Sequence, residues 1–416
     1  MLNYIRHQSL RIPRLYLVVL ILLSILTLIL TLTSQVYPLA NSLKNPSDDV
    51  DWLAYTIRLG KKNLMMLYDP YKNIRVRVHT YDNRITFSLS KNGYLAFSSG
   101  INGKPQISIW DTHAAYRSST QVDQNSKAAN YPLAWSPDGR YLAFVSYLDG
   151  KHYLIYVWDG KTTINITPND LADSVQSYNG VSWSFDGRFA FTVWFDDRQS
   201  KGDPSEIYLW DGKTTTSLSQ NPTGRDESPT WSADNRFAFL SDRGGKYGIY
   251  VWDGVSIKNG SPKVDTFTNV APQLTTYESS PKWTSEGLLT FSTYIPQDTT
   301  SQIYRWDGQT ATNISQTSTE GNGLQTWSAD GRWAFATFYS PKGDMVYVRD
   351  ANNRTLLAVK GTYPAWSSTG YLTFCTLSRS GWVLSIWDGQ QVKAIAQGGE
   401  IWAQWGSGSR SICYSG

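Results

Sequence analysis

Carboxylates are the residues of this chain whose spacing comes nearest to a chemical signature. Asp196, Asp197, Asp203 and Glu206 crowd one segment, 195–206, and together could chelate calcium. They lack the regular ligand spacing of a calcium loop, so a solvated acidic loop is the preferred reading. The histidines, His7, His79, His113 and His152, show no metal-ligand spacing with one another or with a cysteine. Gly406-Ser407-Gly408-Ser409-Arg410 lacks the closing glycine of a nucleophile elbow, and phosphate-loop and dinucleotide fingerprints are missing. No cofactor, metal site or catalytic residue is therefore assigned, and a binding protein is expected ahead of an enzyme.

A second set of polar residues comes from a repeated phrase. One half reads Trp135-Ser136-Pro137-Asp138-Gly139-Arg140 before the apolar run 141–145. The other is a short apolar strand ending in Trp-Asp-Gly, as in Ile155-Tyr156-Val157-Trp158-Asp159-Gly160. The opening Trp recurs at 135, 183, 231, 283, 327, 366 and 405, and Phe87 is placed in the same slot earlier. Five residues before each stand Asp82, Asn130, Tyr178, Asp226, Glu278, Asn322, Gly361 and Glu400. Strand parity sets them at the mouth of a central channel, a polar and partly anionic funnel for a cation or a cationic partner group. The competing and preferred reading is that such residues cap turns and bond loop amides.

The elements that position these residues follow from the repeat. Units of about 40–50 residues built of strand and turn signals predict an all-β propeller. Each unit parses as four antiparallel strands, a to d, with Asp-Gly at tight turns that need positive φ. Strand b is apolar on both faces, with Tyr141, Ala143 and Val145 on one and Leu142 and Phe144 on the other. Such a strand belongs between packed sheets. Eight blades are counted, or seven if the first unit, with no Trp in its c phrase, forms none. The first unit lacks strand a, and Ile401–Gly406 is an a-type strand without its own c and d, so N- and C-terminal strands should close the ring. Turns a–b and c–d share one face; loops b–c and d–a share the other. The insertions at 195–206 and Val255–Ala271 are assigned to the second face, where binding is expected.

Composition bounds the rest. Trp 18 and Tyr 26 with 17% charged residues suit a large aromatic core. The net charge is +4, and Arg6, Arg11 and Arg14 account for most of it, so no nucleic-acid partner is expected. Leu15–Thr33 carries no charge and is long enough to cross a bilayer as a helix. The cations before it place residues 1–14 in the cytoplasm. The segment 34–48 is then a linker, and the propeller, 49–416, is extracytoplasmic. A cleaved signal is the rival, disfavoured because its apolar region is usually shorter and no A-x-A site follows. Cys375 and Cys413 are read as buried thiols, with a single disulfide near the closure as the alternative in an oxidising compartment. Sequons at Asn165, Asn313 and Asn353 matter only in a glycosylating host.

From about residue 49 onward these phrases resemble the TolB-like propeller repeat, also found in tricorn-type and prolyl-oligopeptidase-type propellers. The closest stretch runs from Ser228-Pro229-Thr230-Trp231-Ser232-Ala233-Asp234 through Ser241-Asp242-Arg243-Gly244-Gly245 to Ile249-Tyr250-Val251-Trp252-Asp253. It departs from true WD-repeats, because no Gly-His pair precedes strand a. It also shows neither the mixed α/β domain that precedes the TolB propeller nor a hydrolase domain, so a Tol-system role is not implied. The resemblance implies protein partners on the variable-loop face or at the channel mouth. A membrane-anchored interaction scaffold is the leading expectation; the alternative is an extracytoplasmic glycan- or peptide-binding receptor or enzyme using the same face.

Overall fold

The computed structural model describes residues 51–413, apart from 82–84, 100–103, 114–118, 123–127, 149–151, 169–170, 172–174, 196–203, 255–256, 259–260, 263–266, 275–279, 295–299, 317–319, 339–342 and 407. The described residues form eight antiparallel sheets in chain order, one per blade, and a two-stranded ribbon. Blade 4 is typical: Val175–Trp183, Phe189–Phe195, Ser205–Trp210 and Thr215–Ser217 lie side by side as strands a, b, c and d. Blades 2 to 8 span 87–121, 129–165, 175–217, 226–274, 282–313, 321–360 and 362–398. Blade 1 combines 53–81 with 401–413.

Local chemistry explains the turns. Asp159 Oδ1 accepts the backbone N–H groups of Lys161 at 2.8 Å and Thr162 at 2.6 Å, while Gly160 takes φ +97°. Asp211, Asp307 and Asp388 repeat this turn. In the a–b turn the Ser184 hydroxyl donates to Asp186 and accepts the Arg188 N–H. Asp-Gly turns therefore hold themselves. Strand b is buried over its first five residues, as its two apolar faces require: Phe189, Ala190, Phe191 and Val193 are all inaccessible.

The phrase also joins neighbouring blades. Toward the preceding blade, the Trp135 indole donates to Ser88 O at 3.0 Å, Trp183 to Ala134 O at 3.2 Å and Trp405 to Ala365 O at 3.2 Å. In each case the acceptor immediately precedes the preceding blade's Trp slot. Toward the following blade, the residue that leads into or opens strand b covers that blade's Trp. Tyr94 covers Trp135, Tyr141 covers Trp183, Arg188 covers Trp231, Arg236 covers Trp283, Arg332 covers Trp366 and Tyr371 covers Trp405. Arginine adds a cation–π contact and a hydrogen bond to the next turn, as from Arg188 Nη1 to Gly254 O at 2.9 Å.

Closure uses both ends of the ring. Strand b of blade 1 pairs antiparallel with strand a from the C-terminal side, from Leu53↔Trp405 to Ile57↔Ile401. Asp51 adds a latch: its carboxylate accepts the Ser368 N–H and, at 2.9 Å, the Ser368 hydroxyl of blade 8. Arg410–Cys413 forms a fifth strand on the free inner edge of Ile401–Trp405. That placement brings Cys413 to Cys375 of blade 8 with Cα atoms 5.4 Å apart, and the two form a disulfide. The buried-thiol reading is thus overturned.

Two further readings are corrected. The Trp slot of blade 2 is Leu89, not Phe87: Leu89 pairs with Leu95 as Trp183 pairs with Phe189, and Ser90 makes the turn bonds of Ser184. The alternation of Phe87-Ser88-Leu89-Ser90 made a two-residue slip invisible, because both frames keep the same faces. The insertion after Val255 lies between strands c (Tyr247–Trp252) and d (Thr268–Leu274) of blade 5. It therefore leaves the Asp-Gly-turn face rather than the opposite one. The apolar segment 15–33 lies outside the described residues, among which no helix is long and apolar enough to cross a membrane.

Candidate functional site

The residues expected at the channel mouth separate into several fates. Asn130, Asp226 and Asn322 begin strand a of their blades and are 0% exposed. Each is tied to the start of strand c in the preceding blade. Asn130 Nδ2 donates to Gln106 Oε1 at 3.2 Å. The Asp226 N–H donates to Ser205 Oγ at 3.2 Å, and that hydroxyl donates to Asp226 O at 3.1 Å. Asn322 Nδ2 donates to Ser301 O at 3.3 Å. The Asn130 and Asn322 side chains and the Asp226 backbone thus brace the seams between blades, and all three residues are buried.

Glu400 keeps partial access; it accepts the Trp402 indole N–H at 2.7 Å and lies 3.7 Å from the Arg58 guanidinium. Gly361 has no room for a side chain, since a Cβ would stand 2.9 Å from Cys375 O. Tyr178 lies within strand a of blade 4, its side chain outside the description, as are Asp82 and Glu278 altogether. The slot correction in blade 2 also moves the equivalent position from Asp82 to Arg84, which is likewise outside the described residues.

Asp226 has the densest surroundings. Its carboxylate meets Arg243 at 3.3 Å, and that guanidinium lies 4.8 Å from the Phe267 ring centre, 5.0 Å from Phe239 and 5.1 Å from Tyr250. Burial pushes the Asp226 carboxyl up, against the pull of Arg243. Glu206, expected in the solvated acidic loop, is instead buried in strand c of blade 4. It accepts the Asn221 N–H at 2.8 Å and the Tyr208 hydroxyl at 3.2 Å, and burial raises its carboxyl too. Asp196, Asp197 and Asp203 lie outside the described residues. Among the described residues no cluster of His, Cys, Asp and Glu is placed to hold a metal.

Three residues before the Trp slot, Gly180, Ser228, Leu324 and Tyr363 take positive φ at bulges of the innermost strands. Ser228 Oγ lies 3.3 Å from Ser280 Oγ of the next blade. Below them lie two side chains absent from the sequence-derived set. Arg410 extends from the added inner strand of blade 1 and donates from Nη2 to Leu133 O, on strand a of blade 3, at 3.1 Å. Lys282 immediately precedes the Trp slot of blade 6. A sequence signal for Lys282 existed: the same position in other copies holds Ala134, Ser182, Thr230, Thr326, Ala365 and Gln404, all uncharged.

A second concavity opens on the Asp-Gly-turn face between blades 6 and 7. Leu288 stands where the other copies carry the bridging Arg or Tyr, and a cleft of about 350 Å³ lies there, walled by Leu288, Trp327 and Trp333 with Arg305 and Asn353. The seam is bridged from the opposite side. Arg349 replaces the strand-c Trp of blade 7, lies 5.6 Å over Trp333 and donates back to Ser315 O of blade 6 at 3.1 Å.

No protein-family model and no curated protein matches the chain. Solved structures do resemble it. A dipeptidyl peptidase 4 from Porphyromonas gingivalis is similar over 83% of this chain and 58% of its own, with TM-score 0.54 and 15% identity. Prolyl oligopeptidase B from Galerina marginata is similar over 79% of this chain and 54% of its own, with TM-score 0.51 and 11% identity. TolB from Acinetobacter baumannii is similar over 88% and 83%, with TM-score 0.38 and 17% identity. The chain thus spans little more than half the length of the two peptidases. At these identities the likeness to the two peptidases is one of fold alone.

Proposed function

We propose that this protein is a membrane-anchored, extracytoplasmic propeller of the TolB-like kind that acts as a protein-interaction scaffold. One observation carries the reading: the recurring Trp, Arg and Asp of the repeat bond within their own blade or to an adjacent one. The repeat therefore makes a rigid ring, and what differs between copies is left to select partners. The disulfide across the closure supports an oxidising compartment, and the uncharged run 15–33 supports an anchor. Partners are proposed to engage the face of the b–c and d–a loops, through loop residues rather than the buried Asn130, Asp226 and Asn322. A tagged full chain, cross-linked in membranes and purified, should retain defined protein partners. A protease-protection assay should find the propeller outside and the N-terminus inside. A propeller digested only after the membrane is opened from the cytoplasmic side would sink the topology, and a lone monomer would sink the scaffold.

The cleft beside Leu288 favours a second reading, a small-ligand receptor. Its volume, about 350 Å³, lies within the range of ligand pockets, and it combines indole walls with a guanidinium. That site would be on the Asp-Gly-turn face, opposite the face first assigned.

A further inference from the structure

A seat for a guanidinium recurs on the Asp-Gly-turn face, and one copy of it carries no arginine. In blades 4, 5 and 7 the residue leading into strand b is an arginine that pairs with the carboxylate of its own a–b turn. Arg188 meets Asp186 at 2.8 Å, Arg236 meets Asp234 at 2.9 Å and Arg332 meets Asp330 at 2.7 Å. Each also covers the Trp of the next blade. Two of them donate to the a–b turn glycine of that blade, Arg236 to Gly287 O at 2.5 Å and Arg332 to Gly370 O at 3.2 Å. In blade 6 Leu288 replaces the arginine, while Glu286, Trp327 and Gly331 hold the three partner positions around the cleft.

The seat keeps its shape without that side chain. A Cβ on Gly287 would stand 3.9 Å from Asp234 Oδ2, and one on Gly370 would stand 3.9 Å from Asp330 Oδ2. One on Gly331 would stand 3.9 Å from Glu286 Oε1, so this carboxylate is held at the same distance from the next turn. At Gly287 and Gly370 a guanidinium nitrogen comes nearer, to 2.7 and 2.6 Å; at Gly331 no other described atom comes within 4 Å. Trp327 stacks on Trp333, 5.4 Å away and 15° from parallel, and also walls the cleft.

The turn carboxylate selects a guanidinium over the phenol that other seams use. Asp138, Asp186, Asp234 and Asp330 each hold an arginine, whereas the turns before Tyr94 and Tyr371 carry Asn92 and Thr369 in place of an acid. Glu286 is the one such acid that meets no cation among the described residues. Arg305, on strand c of blade 6, also lines the cleft, at a position where other copies carry Val157, Leu209, Val251 and Ile386. It does not stand in for the missing arginine: among the described residues its guanidinium makes neither an ion pair nor a contact over Trp327. A second cation in the cleft repels an entering guanidinium unless the ligand brings an anion with it.

We infer that the cleft beside Leu288 binds an arginine bearing a free carboxylate. Its guanidinium lies over Trp327 and pairs with Glu286, and its carboxylate meets Arg305. The volume of about 350 Å³ is at the small end of ligand pockets and suits a single amino-acid residue. The inference rests on the small-ligand reading of this cleft and names the ligand class; it is independent of the interaction scaffold.

The test is calorimetry on the full chain in detergent with L-arginine, a short peptide ending in arginine, L-citrulline and agmatine. Binding of L-arginine alone assigns the free amino acid, and binding of the peptide, with or without it, assigns a C-terminal arginine. Citrulline, whose end group is neutral, and agmatine, which lacks the carboxylate, should bind at least about tenfold more weakly. Glu286→Gln should weaken the arginine ligand about tenfold, and this surface change leaves the blade intact. Leu288→Arg should abolish binding by filling the seat from within. Citrulline or agmatine binding as tightly as arginine overturns the inference; if Leu288→Arg still abolishes that binding, the small-ligand reading stands. No binding of L-arginine or the peptide also overturns it and leaves the small-ligand reading to other ligands. Binding undiminished by Leu288→Arg overturns both.

Discussion

The guanidinium of Arg188 lies 4.5 Å over the indole of Trp231, one blade away, and also donates to Gly254 O. This contact turns two pieces of one repeated phrase into a joint between successive sheets. Tyr serves the joint from blades 2, 3 and 8 and Arg from blades 4, 5 and 7, and at Leu288 it lapses.

Replacing Arg188 should therefore loosen the ring. Arg188→Leu keeps the aliphatic packing but removes the cation–π contact and the carbonyl bond, at a cost of about 1–2 kcal/mol. Arg140→Ala removes a side chain 66% exposed beside Asp138 and should cost under about 0.5 kcal/mol. Denaturant unfolding of both variants checks the contrast; equal losses would refute it.

Leu288→Arg restores the residue that the repeat uses at the equivalent seams. It should place a guanidinium over Trp327, close the cleft and raise stability by about 0.5–1 kcal/mol. A fall in melting temperature would mean that Arg349 and Asn353 already occupy that space.

The Cys375–Cys413 disulfide closes a sequence separation of 38 and fastens the last strand to blade 8. Loop-closure entropy puts its contribution at about 4 kcal/mol, an upper value because strand pairing already restrains both ends. Reduced protein and the Cys375→Ser/Cys413→Ser variant should unfold together, at lower denaturant than the oxidised chain. Coincident curves for oxidised and reduced protein would exclude a stabilising role.

Asp330 is held down to about 2, first by its hydrogen bond from Arg332, against the opposing effect of burial. A depressed carboxylate stabilises above its unfolded value of 3.8 and loses that contribution as pH falls toward about 2. Its side chain is 54% exposed, so the screened effect should stay below about 1 kcal/mol. The stability gap between wild type and Asp330→Asn should be constant above about pH 4 and vanish near pH 2. Asp226, raised by burial, carries the opposite sign: wild type should lose ground to Asp226→Asn as pH rises. A gap at Asp330 that widens on acidification would contradict the assignment.

The blade was legible in the residues themselves because its determinants are local. Asp-Gly turns, two-faced apolar runs such as Phe189–Phe195, and the recurring Trp act within a few residues, and their period sets the strand count. Closure of the ring by the first unit and the strand 401–406 was also legible, since an incomplete unit at one end matches an incomplete unit at the other; the register Leu53↔Trp405 was not. Three things were decided only by tertiary structure. Strand alternation has a period of two, so Phe87 and Leu89 fit the Trp slot equally until a partner strand chose between them. Burial at the start of strand a depends on the neighbouring blade, which turned Asn130, Asp226 and Asn322 from mouth residues into braces. The meeting of Cys375 with Cys413, and of Arg410 with the Leu133 carbonyl, depends on where the last strand is added to the inner edge of blade 1. Contacts across a ring join residues far apart in sequence, and no local pattern encodes them.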